Sequence, residues 1–150
     1  MTTKPQHSEW RLPAKGADAT ETALFNLTGK AALTDAVSQV ERGLPRKAFD
    51  RLQAALGVAQ NDLAGFVMIP IRTLSRRQRL LIPESDRVLR VGLLFQRALE
   101  VLGDGDSARR WMGSPKQALG GNTPLQLART EIGARRVEQL LGRIEHGVFS

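Results

Sequence analysis

The 150-residue sequence contains no cysteine and no hydrophobic run long enough to cross a membrane. Without cysteine, disulfides, thiolate metal sites and a thiol nucleophile are excluded, and a reducing cytoplasm is the natural setting. No apolar run reaches the roughly 18 residues that a membrane helix needs, and the polar N-terminal segment lacks the hydrophobic centre of a signal peptide. We therefore expect a cytoplasmic protein without redox chemistry.

The sequence is also poor in the parts of an active site. Its two histidines, His7 and His146, lie in a polar segment and at a predicted helix end, so a histidine metal site is not expected. The glycine-rich stretch LGGN at 119–122 follows no predicted strand and lacks the lysine of a phosphate-binding loop. We expect no enzymatic activity, no metal and no cofactor.

Acidic residues are fewer than basic ones. The sequence has 15 Asp and Glu against 22 Lys and Arg, which gives a net charge of +7. This excess is compatible with a polyanionic partner such as nucleic acid, and equally with a charge that only maintains solubility. The position of the basic residues has to decide between the two.

The spacing of apolar residues predicts an all-α protein. Residues 1–22 are polar and predict a flexible arm, whereas from Leu24 onward apolar residues recur at helical intervals with almost no strict alternation. Capping residues, glycines and prolines divide this part into helices. The predicted helices are 34–43, 46–56, 60–66, 70–79, 84–102, 107–112, one that begins with a capping box at Thr123, and 133–146.

The segment 60–79 has the proportions of a helix-turn-helix, with an abrupt turn that ends at Ile69 and Pro70. Its second helix carries Arg72, Arg76, Arg77 and Arg79, and no acidic residue lies between Asp62 and Glu84. Exposed helices usually alternate acids with bases, so an unpaired basic face favours a phosphate-rich partner over a merely solvated surface.

In such a motif the second helix lies in the DNA major groove, where arginine can bond guanine and Ser or Thr can reach bases or phosphates. One motif buries too little surface to find an operator, so a dimer or larger assembly is expected. The predicted DNA-contacting residues are Arg72, Thr73, Ser75, Arg76, Arg77 and Arg79, with Arg72, Thr73 and Arg76 as the base-reading candidates. The preceding residues Arg46, Lys47 and Arg51 either contact the flanking DNA backbone or form a solvated surface.

Several stretches resemble one known family. MIPIRTLSRRQR at 68–79 resembles the recognition-helix pattern of the MbcA/ParS/Xre antitoxins, roughly GISPRTLSRR. The similarity is more specific in ESDRVLRVGLLFQRALEVLGDGDSARRWM (84–112) and PKQALGGNTPLQLARTEIGARRVEQLLGRIEHGVFS (115–150). It covers about 40–150. The chain departs from the family pattern at the turn glycine, which is Met68 here, and at the N-capping serine, which is Pro70.

The closing GRIEHGV is most similar to the Xre antitoxins that pair with RES-domain toxins, which degrade NAD. The resemblance implies an Xre-like helix-turn-helix DNA-binding domain at 23–82, which binds the operon's own promoter, and a small helical toxin-binding domain at 83–150. The residues implied to bind the toxin are Arg143, Glu145, His146, Gly147, Val148, Phe149 and Ser150.

The apolar residues at the end of the given sequence favour a protein partner independently of the family resemblance. Val148 and Phe149 follow the predicted stop of the last helix, so this apolar tail either docks on another protein or folds back on its own core. The resemblance implies that it covers the opening of the toxin's active site. The alternative function is a stand-alone helix-turn-helix regulator whose carboxy-terminal half dimerises or senses a ligand.

Overall fold

The structure is a computed structural model that describes the backbone of residues 29–147 and the side chains of residues 35–147. The predicted arm at 1–22 therefore lies outside the described residues, as do Val148, Phe149 and Ser150 of the predicted toxin-binding set. Every regular element among the described residues is a helix, which confirms the all-α prediction. Its α-helices, numbered here in chain order, are α1 (Gly29–Arg42), α2 (Arg46–Leu56), α3 (Gln60–Phe66), α4 (Ile71–Leu74), α5 (Ile82–Leu102), α6 (Gly105–Gly113), α7 (Pro124–Leu127) and α8 (Glu131–Glu145), and one 3-10 turn spans Gln117–Leu119.

The sequence pattern placed most helix ends within two residues, but two helices differ clearly. The predicted start of α1 near Thr34 is wrong, because the helix begins at Gly29 and runs through Ala31 and Ala32, which favour helical backbone. The predicted end of α4 at Arg79 is also wrong. This helix ends at Leu74, a single turn after Ile71.

Long-range pairing is what shortens α4. After a turn at Ser75 and Arg76, the chain extends and runs antiparallel to residues 44–46, with a bridge between Pro45 and Arg79. The amide of Leu80 donates to the Leu44 carbonyl at 2.8 Å, and the amide of Arg46 donates to Gln78 at 2.8 Å. Leu44 and Leu80 are both buried, so leaving the helix early brings Leu80 into the core.

The longest helix, α5, is the centre of the fold. Its predicted apolar stripe is confirmed, because Val88, Val91 and Phe95 are fully buried. The helices α1 and α2 contact one part of it and α6 and α8 another, so a single hydrophobic cluster runs from Leu44 to Leu141. Both halves of the chain therefore share one core.

Local caps hold α7 and α8 in place on this core. The predicted capping box is confirmed, with the Gln126 amide donating to Thr123 Oγ1 at 3.0 Å and the Thr123 amide donating to Gln126 Oε1 at 2.8 Å. Helix α8 starts at Glu131 rather than at the predicted Gly133, because Thr130 Oγ1 accepts the Gly133 amide hydrogen and caps the helix.

Candidate functional site

A helix-turn-helix forms where the sequence predicted one. Leu63 and Ala64 of α3, Val67 and Ile69 of the turn, and Leu74 of α4 are buried, so apolar side chains on both sides of the turn hold the two helices at a fixed angle. The Ile69 amide closes the turn by donating to the Ala64 carbonyl at 2.9 Å. The outer surface of α4 is thereby presented by a rigid support.

Met68 adopts the backbone conformation that this turn requires. Its φ of 54° lies in the left-handed region, where a side chain costs energy and glycine does not. Arg87 on α5 binds two carbonyl groups of the turn. Its Nε donates to the Val67 carbonyl at 2.6 Å and its Nη2 donates to the Met68 carbonyl at 3.3 Å. The turn thus forms without the glycine of the family pattern.

The sequence pattern predicted Pro70 as the first helical residue of α4, which is wrong. Pro70 is the residue before this helix. It has extended backbone, and its carbonyl accepts from the amides of Thr73 and Leu74 at 3.0 and 3.1 Å. No side chain caps this helix. The side chain of Pro70 therefore does not cap the amide hydrogens in the first turn of α4.

The predicted DNA-contacting residues fall into two groups. Arg72, Ser75 and Arg76 are exposed around α4 and the turn after it, and Thr73 is half-buried beside them. Ser75 Oγ donates to the Arg72 carbonyl at 3.0 Å, which leaves its oxygen lone pairs for another donor. These four residues form the outer surface of the motif.

The expectation that no carboxylate pairs with the arginines is wrong for Arg77. Its Nη1 lies 2.5 Å from Glu84 Oε1, and Glu84, which is buried, also accepts the Leu81 amide hydrogen at 2.9 Å. Arg79 points elsewhere and donates to the Gly43 carbonyl at 2.8 Å. Both side chains have partners within the fold because the chain leaves the helix after Leu74, which helical spacing could not show.

A basic groove lies next to α4, between the residues after this helix and the first turn of α2. It is a depression of about 620 Å³ lined by Pro45, Arg46, Lys47, Asp50, Ser75, Arg76, Arg77 and Gln78. Arg46 donates from Nη1 to the Leu74 carbonyl at 3.2 Å, which ties α2 to the end of α4. The fold therefore places Arg46 and Lys47 beside Arg76, whereas Arg51 does not line the groove. The sequence had left these contacts open.

The last turn of α8 is fixed to α5 by Arg97. Its Nη1 and Nη2 donate to the two carboxylate oxygens of Glu145 at 2.7 and 2.9 Å, and Glu138 lies 3.7 Å away. The hydrogen bond from Arg97 lowers the pKa of Glu145, and the charge of Arg97 adds to this effect. Glu145 is thus engaged within the fold, while Arg143, His146 and Gly147 remain exposed.

The described part of the chain also lacks two other kinds of feature. No group of three or more His, Asp or Glu residues there is arranged to hold a metal ion. No helix among the described residues is long and apolar enough to span a membrane.

Comparison with known proteins identifies two matching family models. Residues 35–91 match the model described as the antitoxin Xre-like helix-turn-helix domain, and residues 97–147 match the antitoxin Xre/MbcA/ParS C-terminal toxin-binding domain. The two matches divide α5, whose first half belongs to one and whose last residues belong to the other.

Three relatives extend over most of the chain. An antitoxin Xre of Photorhabdus laumondii is 35% identical over 116 residues, covering 74% of this chain and 78% of the relative. An antitoxin Xre of Yersinia enterocolitica is 33% identical over 119 residues, covering 76% and 80%. A Prs ADP-ribosylating antitoxin of a Sphingobium species is 28% identical over 134 residues, covering 81% and 84%.

Proposed function

Because the chain belongs to the Xre antitoxin family, with a helix-turn-helix domain and a toxin-binding domain, we propose that it neutralises a RES-domain, NAD-degrading toxin and represses its own promoter. The toxin is neutralised by covering its active site, and the promoter is bound by the outer surface of α4. The observation that carries the proposal is the pairing of a DNA-binding motif and a toxin-binding domain on one shared core.

The DNA-binding mode follows from the exposed residues around α4. Arg72 and Thr73 lie on its single turn and Arg76 follows at the edge of the basic groove, and these three residues are the base-reading candidates. Arg46 and Lys47 on the opposite wall of that groove supply positive charge where a phosphate of the flanking backbone would lie. Arg77 and Arg79 act mainly within the fold, because Glu84 and the Gly43 carbonyl already hold them.

The toxin-binding mode depends on the exposed end of α8. Arg143, His146 and Gly147 are accessible there, and Glu145 positions them through its two bonds with Arg97. The tail at 148–150 continues from this end and covers the toxin's active-site opening. The name of the Sphingobium relative includes ADP-ribosylation, which is a reaction that consumes NAD.

Co-expression with the protein of the neighbouring gene tests the toxin arm. We expect that protein alone to stop growth and deplete cellular NAD, and this chain to restore both. Deletion of residues 148–150 should weaken the rescue while leaving promoter binding unchanged. A neighbouring protein that leaves NAD unaffected, or a truncated chain that rescues fully at equal expression, would contradict the proposal.

Titration with promoter DNA tests the second arm. If a dimer contacts roughly six phosphates, its affinity should fall about a thousandfold or more between 50 and 200 mM salt. The footprint should contain two half-sites separated by about one helical turn, because one motif buries too little surface for specific binding. A chain that binds DNA in this way but ignores the neighbouring protein would instead be a stand-alone regulator.

A further inference from the structure

Gly142 weakens α8 without any reason inside the described fold. It lies within this helix, where alanine would be more stabilising than glycine. A Cβ atom built on Gly142 meets no atom within 4 Å among the described residues. Gly133 in the same helix is different, because its Cβ would lie 1.9 Å from the Leu127 carbonyl oxygen. Packing between α7 and α8 thus explains Gly133 but not Gly142.

The missing side chain leaves a shallow depression on the outer surface of α8. Its volume is about 390 Å³, and the residues that line it are Gln139, Gly142, Arg143 and His146. These positions lie three, four and seven residues apart and therefore share one face of the helix. We call this depression the α8 notch. The other face of α8 carries Val137 and Leu141, which are fully buried in the core.

The α8 notch is held rigidly before any partner arrives. Leu141 fixes the helix on the core side, and Arg97 binds Glu145 through both carboxylate oxygens one turn beyond Gly142. A surface that is already ordered loses little conformational entropy on binding. Around its glycine floor, Arg143 and Gln139 present exposed hydrogen-bond donors to an approaching molecule.

We propose that the α8 notch is a docking site for the toxin, which extends the contact proposed for Arg143 and His146 to the bare backbone at Gly142. A protruding segment of the toxin approaches the backbone at Gly142 more closely than a side chain there would allow. Carbonyl or carboxylate oxygens of that segment accept hydrogen bonds from Arg143 and Gln139. The inference rests on the proposed function, and its occupant is the toxin because residues 97–147 match a toxin-binding domain.

The test uses substitutions that strengthen the helix while filling the notch. In the full-length chain, Gly142→Ala should raise Tm by about 2–5 °C, because alanine favours the helix and meets open space. Binding to the purified protein of the neighbouring gene should nevertheless weaken about tenfold, and about a hundredfold or more for Gly142→Leu, since overpacking a close contact is unfavourable. The matched control is Gly65→Ala, because Gly65 also lies within a helix with open space at its Cβ.

Higher Tm with weaker binding for Gly142→Ala, and higher Tm with unchanged binding for Gly65→Ala, would support the notch. Undiminished binding of Gly142→Leu would overturn it, as would a lower Tm for Gly142→Ala, which would mean that the chain itself fills the space. If the wild-type chain does not bind the neighbouring protein, the proposed function fails, independently of the notch.

Discussion

Met68 shows how a single residue can satisfy a turn at an energetic cost. Its left-handed backbone is unfavourable for a side chain, and the side chain is 43% exposed, so it contributes little packing in return. Arg87 holds the two carbonyls of the turn whichever residue stands there. The conformation therefore depends on the surrounding contacts more than on the residue itself.

We expect Met68→Gly to stabilise the protein by about 0.5–1 kcal/mol. Glycine relieves the strain of the left-handed backbone, and the greater entropy that it gives the unfolded chain offsets part of this gain. Chemical denaturation gives the free energy of unfolding. Ala54→Gly is the control, because Ala54 is exposed in the ordinary helical backbone of α2 and its replacement should destabilise by about 1 kcal/mol. Equal losses in both variants would show that Met68 is not strained.

The arginines around α4 should differ in their effect on DNA binding. Replacing Arg72 or Arg76 with alanine should cost about 1–3 kcal/mol on the preferred site, and should relax specificity where a base contact is lost. Lys47→Ala should weaken binding to all sequences alike and reduce the salt dependence, because it removes a phosphate contact.

Affinity measurements on matched and altered promoter duplexes distinguish these effects. Arg110→Ala provides the control for charge alone, since Arg110 is exposed on α6 in the other half of the chain. Base reading by Arg72 and Arg76 would be refuted if all four variants weakened binding by the same small factor.

At the scale of elements, sequence periodicity was sufficient where a helix has one buried face and local caps. The stripe of α5, the capping box of α7 and the helix-turn-helix were predictable for this reason. It failed at α4, because the pairing of Leu80 with Leu44 joins positions far apart in the chain. The partners of Arg77 and Arg79 were missed for the same reason, since they depend on how the chain reverses after Leu74.

The end of α8 should loosen in acid. Since Arg97 lowers the pKa of Glu145, their pair stabilises this turn fully above the ordinary carboxyl pKa, and the stabilisation is lost as the pH falls through the lowered value. The protection factors of the His146 and Gly147 amides against hydrogen exchange should therefore fall at acidic pH in the wild-type chain, because these amides donate to the carbonyls of Gly142 and Ile144 in this turn.

In Glu145→Gln the protection factors of these amides should already be lower at neutral pH and should fall less on going to acidic pH. Glu131→Gln is the control, because its pair with Arg135 is exposed and such pairs contribute little. The same acid dependence in wild type and Glu145→Gln would show that this carboxylate does not hold the turn.

At the scale of the whole molecule, the two family domains share one helix, α5. The sequence predicted a boundary between residues 82 and 83, and α5 begins there, but its buried residues contact helices of both halves. Sequence similarity divides the chain by family, whereas the core is set by burial, and α5 serves both sides. We expect a mutation in the core of either half to destabilise the other half as well.

We therefore expect the described part of the chain to unfold in one cooperative transition. In a Trp10→Phe variant, fluorescence reports only Trp111, whose ring lies 5.2 Å from the Lys116 ammonium in the toxin-binding half.

Leu52→Ala creates a cavity in the fully buried core of α2 and should cost about 2–5 kcal/mol. Because α5 joins the halves, Leu52→Ala should shift the Trp111 transition and the helical circular dichroism together to lower temperature. The control Leu81→Ala should shift both signals much less, because Leu81 is 52% exposed. A Trp111 transition that stays in place while part of the helical signal melts earlier would show two independent domains.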